Sequence, residues 1–326
     1  MNALCTISDG MYAPKSFAML QSAANFMPHL NFFFLDIEGC KPHVEYSNTC
    51  ILSLQDIGIS ESYLHQLQKK YNVIEFATAV KPFLLKALLR KGFKTVTYLD
   101  PDILILGKID EVFRIANLHE VVVAPHRLTP CANSNSSFEI TLNRVGIFNL
   151  GFITVSQNSF RLLDWWMEKT NNYASLNWFS GQFTDQKWVD HFPAYFKTFV
   201  IKNAGYNLAY WNIDERPLKV TETGVILAND EPLRFVHFSQ GSHRLESPST
   251  MRLWGSLKKE DFEVISFLAK KYTSNIASVE SRISLSTPRD IRLQLARPKF
   301  RFNTRDGLAA GIKEDWRQLR NKLSKH

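Results

Sequence analysis

Residues 95–106 read Thr95-Val96-Thr97-Tyr98-Leu99-Asp100-Pro101-Asp102-Ile103-Leu104-Ile105-Leu106. Two short apolar, β-branched runs flank a pair of carboxylates one residue apart. Each run predicts a buried strand. Pro101 lacks a backbone donor and bends the chain, which puts the Asp pair at a strand end rather than inside a ladder. Placed there, Asp100 and Asp102 both reach one hard cation, the usual means of holding a diphosphate. An ordinary turn is the competing reading. Fifteen Asp in 326 residues produce about 0.7 Asp-x-Asp triplets by chance, so the weight rests on the setting at the end of an apolar strand.

Working outward, Ala3–Ile7 predicts a first strand that runs into the loop Ser8–Pro14, with a helix from Lys15 to Phe26. Leu30–Leu35, with its three Phe, predicts a second strand, and Asn72–Phe76 a third. Lys81–Lys91 predicts a helix, with Pro82 in the first turn and Leu84, Leu85, Leu88 and Leu89 on one face. Further on come the strand Gly146–Val155, the aromatic helix Phe160–Thr170 and an amphipathic helix over 258–272. The polar stretch 273–290 reads as a linker, and Ala132–Ser137 as a flexible flap. This alternation is the signature of an α/β fold whose mostly parallel sheet is covered by helices on both faces. Ligands of such sheets bind beyond the carboxyl ends of the strands, where the loop after the first strand and the Asp pair both fall.

The formal charge of +8 is unevenly placed. Residues 281–326 hold 12 Lys/Arg and 4 Asp/Glu, a balance of +8, so residues 1–280 are neutral overall. A domain over 1–250 and a helical, basic extension over 251–326 are expected. The start, Met1-Asn2-Ala3-Leu4-Cys5, has neither a cationic region nor a long apolar one and does not read as a signal peptide. Cys5, Cys40, Cys50 and Cys131 show no Cys-x-x-Cys spacing, which argues against a zinc site and a disulfide framework. A reduced, cytoplasmic protein is expected. The confinement of the charge to the tail, with no recognisable nucleic-acid module, argues against a nucleic-acid partner.

Three more segments join the Asp pair: Phe148-Asn149-Leu150-Gly151-Phe152, then Asp185-Gln186, then Phe235-Val236-His237-Phe238. Their order and spacing over residues 3–245 resemble bacterial glycosyltransferases of the GT-A fold, above all the family 8 enzymes of lipopolysaccharide synthesis. The resemblance implies a Rossmann-like sheet and transfer of a sugar, with retention of configuration, from a nucleotide-sugar (UDP-linked) to a glycan or lipid-linked saccharide acceptor. It also implies that Asp100, Asp102 and His237 bind Mn2+ or Mg2+, the nitrogen ligand favouring Mn2+. Such a cation neutralises charge on the departing diphosphate. A strand histidine satisfied by backbone is the other reading of His237. Inverting GT-A enzymes and sugar-phosphate nucleotidyltransferases use related sheets. The latter need a glycine-rich loop after the first strand, where Gly10 stands alone.

By the same resemblance Asn149 and Asp185 hold donor-sugar hydroxyls, and Gln186 lies near the reacting carbon. Asp185 could instead cap the short helix that contains Trp188. Asp9 and Tyr12 fall where the nucleoside is held, Tyr12 as a stacking or a packing ring. Lys81 takes the place of an arginine that contacts the donor, Lys86 reads as a helix-surface lysine, and Gly151 belongs with the cofactor-binding residues. After His237 the pattern departs: Gly241 comes four residues on rather than three, and Arg244 stands near the family's diphosphate lysine. Within Gly205–Asp214, Asn207, Trp211 and Asn212 are candidates for lining the acceptor or donor pocket, and Tyr210 for the core.

In the tail, Ile312, Trp316, Leu319 and Leu323 form an apolar seam among Lys313, Arg317, Arg320, Lys322 and Lys325. A basic amphipathic helix of this kind suits an anionic membrane surface. Peripheral attachment at the inner face of the cytoplasmic membrane is expected, against the alternative of a solvated helix packed on the domain.

Overall fold

The computed structural model describes residues 1–44, 48–131, 136–177, 180–239, 241 and 259–285. A central sheet of seven strands runs in the order Thr198–Val200, Val121–Pro125, Phe148–Ser156, Thr95–Leu99, Asn2–Ser8, Asn31–Asp36, Thr49–Leu52. All neighbours are parallel except Phe148–Ser156, which runs antiparallel to both of its partners. Alternation along the strands divides the core. Ala3, Cys5, Ile7, Val96, Tyr98, Val121, Val123, Ile153 and Val155 face one side. Leu4, Phe32, Phe34, Leu99, Val122, Ala124 and Phe152 face the other.

Helix Lys81–Arg90 covers the first face through Leu84, Leu85, Leu88 and Leu89, all essentially fully buried. Each such Leu contributes about 1.5–3 kcal/mol of transfer free energy. Helix Ala13–Phe26 covers the second face with Phe17, Met19 and Leu20. Lys86 is not a surface lysine. It is buried and ion-paired with Asp164 of the helix Phe160–Asn172.

The reversed strand places Phe148 and Asn149 at the same edge as the ends of Asn2–Ser8, Thr95–Leu99 and Val121–Pro125. After the Asp pair, the run Ile103–Ile105 leaves the sheet and pairs antiparallel with Phe235–His237, with His237 opposite Ile103. That pairing brings a histidine from far along the chain to the Asp turn.

Two sequence expectations are corrected. Asn72–Phe76 is no strand: helix Val73–Ala79 starts there. The Asn72 side-chain oxygen accepts from the backbone N–H groups of Ile74 and Glu75, each at 3.0 Å. The Glu75 carboxylate accepts from Asn72 N–H at 2.9 Å. This reciprocal cap outweighs the strand-like run of Val73, Ile74 and Phe76. Nor is 273–290 a linker from its start. Helix Lys259–Glu280 continues into it as far as Glu280, and Ile283–Ser284 then pairs with His43–Val44. Ile265, Leu268, Ala269, Tyr272 and Val279 of this helix are buried, and Tyr272 stacks on Phe238 with centroids 4.2 Å apart. The helix is thus packed on the core. Residues 132–135 of the expected flap, Arg244 and the seam of Ile312, Trp316, Leu319 and Leu323 lie outside the described residues.

Removal of the cap is directly measurable. Asn72→Ala is expected to cost about 1 kcal/mol of stability, and Asn72→Asp, which keeps an acceptor, much less. Urea unfolding should show a lowered midpoint with an unchanged slope for the Ala variant.

Candidate functional site

Leu99 ends its strand, and the backbone N–H of Asp100 still reaches Gly151 O at 2.9 Å. The sheet therefore fixes the first carboxylate. Asp102 is fixed from the other side, where Phe238 N–H donates to its carbonyl at 2.8 Å. His237 Nε2 then lies 3.0 Å from Asp102 Oδ1 and 3.7 Å from Asp100 Oδ2. Ligand atoms of Asp100, Asp102 and His237 fall within 4.8 Å of one another. His237 is 4% exposed at its side chain, against 29% for Asp100 and 20% for Asp102, so the cluster opens through its carboxylates.

The charged groups of the cluster act on one another. Burial works against a charged His237, but Asp102 and Asp100 outweigh it and raise its pKa above the ordinary histidine value. Burial raises the Asp100 pKa, with Asp102 adding to the rise and Lys81 opposing it. Burial also acts against Asp102, yet His237 and Lys15 hold its carboxyl below the usual range. The phenol of Tyr98 donates to Asp100 Oδ1 at 2.7 Å, leaving Oδ2 on the side of His237. Burial and Asp100 keep that phenol protonated.

The three side chains fit a divalent cation. Mg2+–oxygen bonds of about 2.1 Å place neighbouring octahedral ligands about 3 Å apart. The 3.0 Å between His237 Nε2 and Asp102 Oδ1 matches that spacing. Two carboxylates supply hard charge, and the imidazole tilts the preference toward a transition metal.

His237 sits against the reversed strand. Its Nδ1 lies 3.0 Å from Asn149 Oδ1, which also accepts from Gly151 N–H at 3.3 Å. Asn149 Nδ2 is 3.4 Å from His126 Nε2, and His126 Nδ1 is 3.1 Å from Ile147 O. Burial pushes the His126 pKa down to about 4, so this ring is neutral at physiological pH. Trp211 packs edge-to-face on both rings, with centroids 5.4 Å from His126 and 5.3 Å from His237. Gly151 allows the approach: a Cβ there would lie 2.4 Å from His237 Cε1 and 2.7 Å from Nδ1.

The remaining sequence candidates divide by what already holds them. Lys81, 1% exposed, lies 2.8 Å from Asp185 Oδ2, donates to Leu150 O at 2.9 Å and sits 4.3 Å over the Tyr98 ring. Asp185 is buried in that ion pair and makes no helix-capping bond. Gln186 Oε1 accepts from Leu150 N–H at 3.1 Å, and its Nε2 donates to Val145 O at 2.8 Å. Asn212 bonds Ala209 N–H, His126 O and Asn207 O, all at 2.9 Å. Asn207 has a left-handed backbone at φ 59° and is fully buried. Its side-chain nitrogen and oxygen, like Trp211 Nε1, meet no hydrogen-bonding partner among the described residues. Tyr210 is partly buried and packs edge-on against Trp211. Asp9 Oδ1 accepts from Tyr12 N–H at 2.8 Å, and Lys15 lies 4.2 Å over the 43%-exposed Tyr12 ring.

Sequence reasoning missed Tyr98, His126 and Lys15. Tyr98 stands two residues before Asp100 in the very stretch that carried the fold. His126 follows the apolar strand Val121–Pro125 as Asp100 follows its own, and that position was a usable signal.

No family model matches the chain. The uncharacterized Bacillus subtilis (strain 168) protein YfnF is 23% identical over 186 residues, which span 56% of this chain and 61% of that protein. The structure resembles an active-site mutant of LgtC at 13% identity and a TM-score of 0.51, over 89% of this chain and 98% of the other. The galactosyltransferase LgtC in complex with donor and acceptor sugar analogues aligns at 14% identity and 0.49, over 86% and 96%. The glycosyltransferase GlyE of Streptococcus pneumoniae TIGR4 aligns at 13% and 0.46, over 89% and 67%. The chain has the mixed α/β, mostly parallel sheet architecture of the GT-A fold.

The close approach at Gly151 predicts its own test. Gly151→Ala should push His237 out of line with the Asp pair and weaken Mn2+ binding by about tenfold or more in calorimetry. Affinity equal to wild type in a folded variant would show that His237 is not a ligand.

Proposed function

We propose that this protein is a metal-dependent glycosyltransferase that moves a sugar from a UDP-linked donor to a glycan or lipid-linked saccharide, with retention of configuration. The observation that carries the reading is the convergence of Asp100, Asp102 and His237 beyond the strand ends of a sheet of the GT-A type. The fold likeness to LgtC supports the GT-A architecture on which the reading rests. The tail sequence supports assembly of a surface saccharide at an anionic membrane.

In this reading Asp100, Asp102 and His237 hold Mn2+ or Mg2+. The bound ion supplies Lewis-acid neutralisation of the leaving diphosphate. Tyr12 and Asp9 border the nucleoside, Tyr12 presenting an exposed ring steadied by Lys15. Lys15 also adds positive charge beside Asp102 on the diphosphate side. Asp185, with its charge balanced by Lys81, faces the donor sugar, and Gln186 lies next to the reacting carbon. Asn149 and Gln186 already bond the protein at both ends of their carboxamides, so a donor would meet only the lone pair and N–H groups those bonds leave over. Arg244 completes the diphosphate side by its place in the sequence.

A thermal-shift screen of UDP-, GDP-, ADP- and CMP-linked sugars with and without Mn2+ tests the reading. A UDP-linked sugar should raise the melting temperature only with Mn2+, by the equivalent of about 2.7 kcal/mol at a hundredfold excess over Kd. Asp102→Ala should erase that shift and all transfer while leaving the metal-free melting temperature close to wild type. Stabilisation that is indifferent to Mn2+, or transfer surviving in Asp102→Ala with EDTA, would overturn it.

The membrane part is separable. The full-length protein should sediment with anionic liposomes and be released as salt rises, since exposed charges are screened over about 8 Å at physiological ionic strength. Trp316→Asp with Leu323→Asp should weaken sedimentation and leave donor hydrolysis intact. Sedimentation of this double variant as strong as that of the wild type, unaffected by salt, would argue that the tail packs on the domain instead.

A further inference from the structure

Beside the cation cluster the backbone supplies two groups of fixed polarity. Gly151 N–H can only donate, and Ile147 O can only accept. Between them run three side chains, Asn149, His237 and His126, whose hydrogen-bonding sense is adjustable. Asn149 Oδ1 is pinned as an acceptor by Gly151 N–H at 3.3 Å. His237 Nδ1, 3.0 Å from the same oxygen, must therefore carry a proton and donate. Its Nε2, 3.0 Å from Asp102 Oδ1, keeps the lone pair that a metal needs whenever the ring is neutral.

With Oδ1 committed, Asn149 Nδ2 points at His126 Nε2 at 3.4 Å and must donate to it. His126 Nε2 is then an acceptor, and the single proton of the neutral ring sits on Nδ1, facing Ile147 O at 3.1 Å. Both backbone anchors enforce the same sense along the whole row. A flipped Asn149 would set its NH2 against Gly151 N–H and against a protonated His237 Nδ1. It would also turn Oδ1 toward a His126 nitrogen without a proton. Trp211 sits against both imidazole rings and resists their rotation.

We propose that His126 is a positioning residue for the cation site, holding the Asn149 carboxamide in the orientation that keeps His237 Nε2 free to ligate. His126 makes no contact with the cation position itself. It acts through Asn149, so that the end of one strand sets the tautomer of a ligand on another. The inference rests on the reading of Asp100, Asp102 and His237 as cation ligands.

The test uses the full-length protein and Mn2+ alone, followed by calorimetry, with circular dichroism and melting temperature to verify folding. His126→Ala removes the acceptor and should weaken Mn2+ binding by about tenfold to a hundredfold. His126→Gln restores a side-chain oxygen for Asn149 Nδ2 and should recover affinity to within about threefold of wild type. A merely structural histidine predicts lowered melting temperatures with Mn2+ affinity unchanged, and that result would overturn the proposal. So would a Gln variant as weak as the Ala variant. If His126→Ala does not fold, wild-type protein carrying 15N-histidine and saturated with Mg2+ decides. Both His126 and His237 should show a protonated Nδ1 and an unprotonated Nε2, and a proton on His126 Nε2 would refute the arrangement. Absence of Mn2+ binding by the wild type would instead remove the cation reading itself.

Discussion

Two carboxylates one residue apart at a sheet edge repel each other, and the surrounding structure answers that repulsion from several directions. Like charges about 4 Å apart in a partly buried site oppose each other by about 4 kcal/mol. Compensation comes from separate parts of the chain. His237 arrives on a strand that pairs with Ile103–Ile105. Tyr98 donates from the strand below. Lys81 opposes the rise of the Asp100 pKa from the first helix over the sheet, and Lys15 holds Asp102 down from the opposite helix. None of these groups is near the Asp pair in sequence except Tyr98. The site therefore exists only once the sheet has closed around it, and its geometry reports on the whole fold.

The reversed strand Phe148–Ser156 is the second dependency. A parallel strand would bring its carboxyl end to the ligand edge, but this one brings its amino end, with Asn149, Leu150 and Gly151 in succession. Leu150 binds Gln186 through its N–H and Lys81 through its carbonyl. Gly151 binds Asp100 through its carbonyl and Asn149 Oδ1 through its N–H. Two consecutive residues thus tie together the Asp pair, the Lys81–Asp185 ion pair and the His237 support. A side chain at 151 would occupy the space of His237, which is why the run needs a residue without a Cβ there.

Much of this was legible in the sequence where apolar periodicity and chemistry coincided. The strand before Asp100 and the Leu face of Lys81–Arg90 followed from short patterns with a clear physical meaning, whereas the approach of His237 to the Asp pair was implied by the family resemblance alone. Asn72–Phe76 was misread because Val73, Ile74 and Phe76 imitate a strand, while the Asn72 and Glu75 spacing that starts a helix went unused. The continuation of Lys259–Glu280 past 272 was hidden by its polar composition. Its buried seam at Tyr272, Ile276 and Val279 is sparse, and contact with the core sustains the helix there. The candidate carboxamides expose a deeper limit. Sequence identifies a group able to bind a sugar hydroxyl, but backbone atoms brought from elsewhere decide whether that group is open. Gln186 and Asn212 are buried and bonded to backbone at both ends of their carboxamides.

That anchoring bears on how such an edge works as a binding surface. Groups tied at both ends lose little freedom when a ligand arrives, so they hold their neighbours in place at small entropic cost. What the edge leaves open to solvent are the partly exposed carboxylates of Asp100 and Asp102 and the ring of Tyr12. Before a cation binds, His237 takes the place of positive charge between the carboxylates, its pKa raised by them. In the proposed reading a divalent ion held by Asp100, Asp102 and His237 would compete with that proton for the same position. The ion would offset both carboxylates, leaving Lys15 as the positive charge beside the cluster for an approaching phosphate. Rigidity behind the cluster and exchangeable charge in front of it divide the labour between residues fixed by the sheet and residues open to solvent.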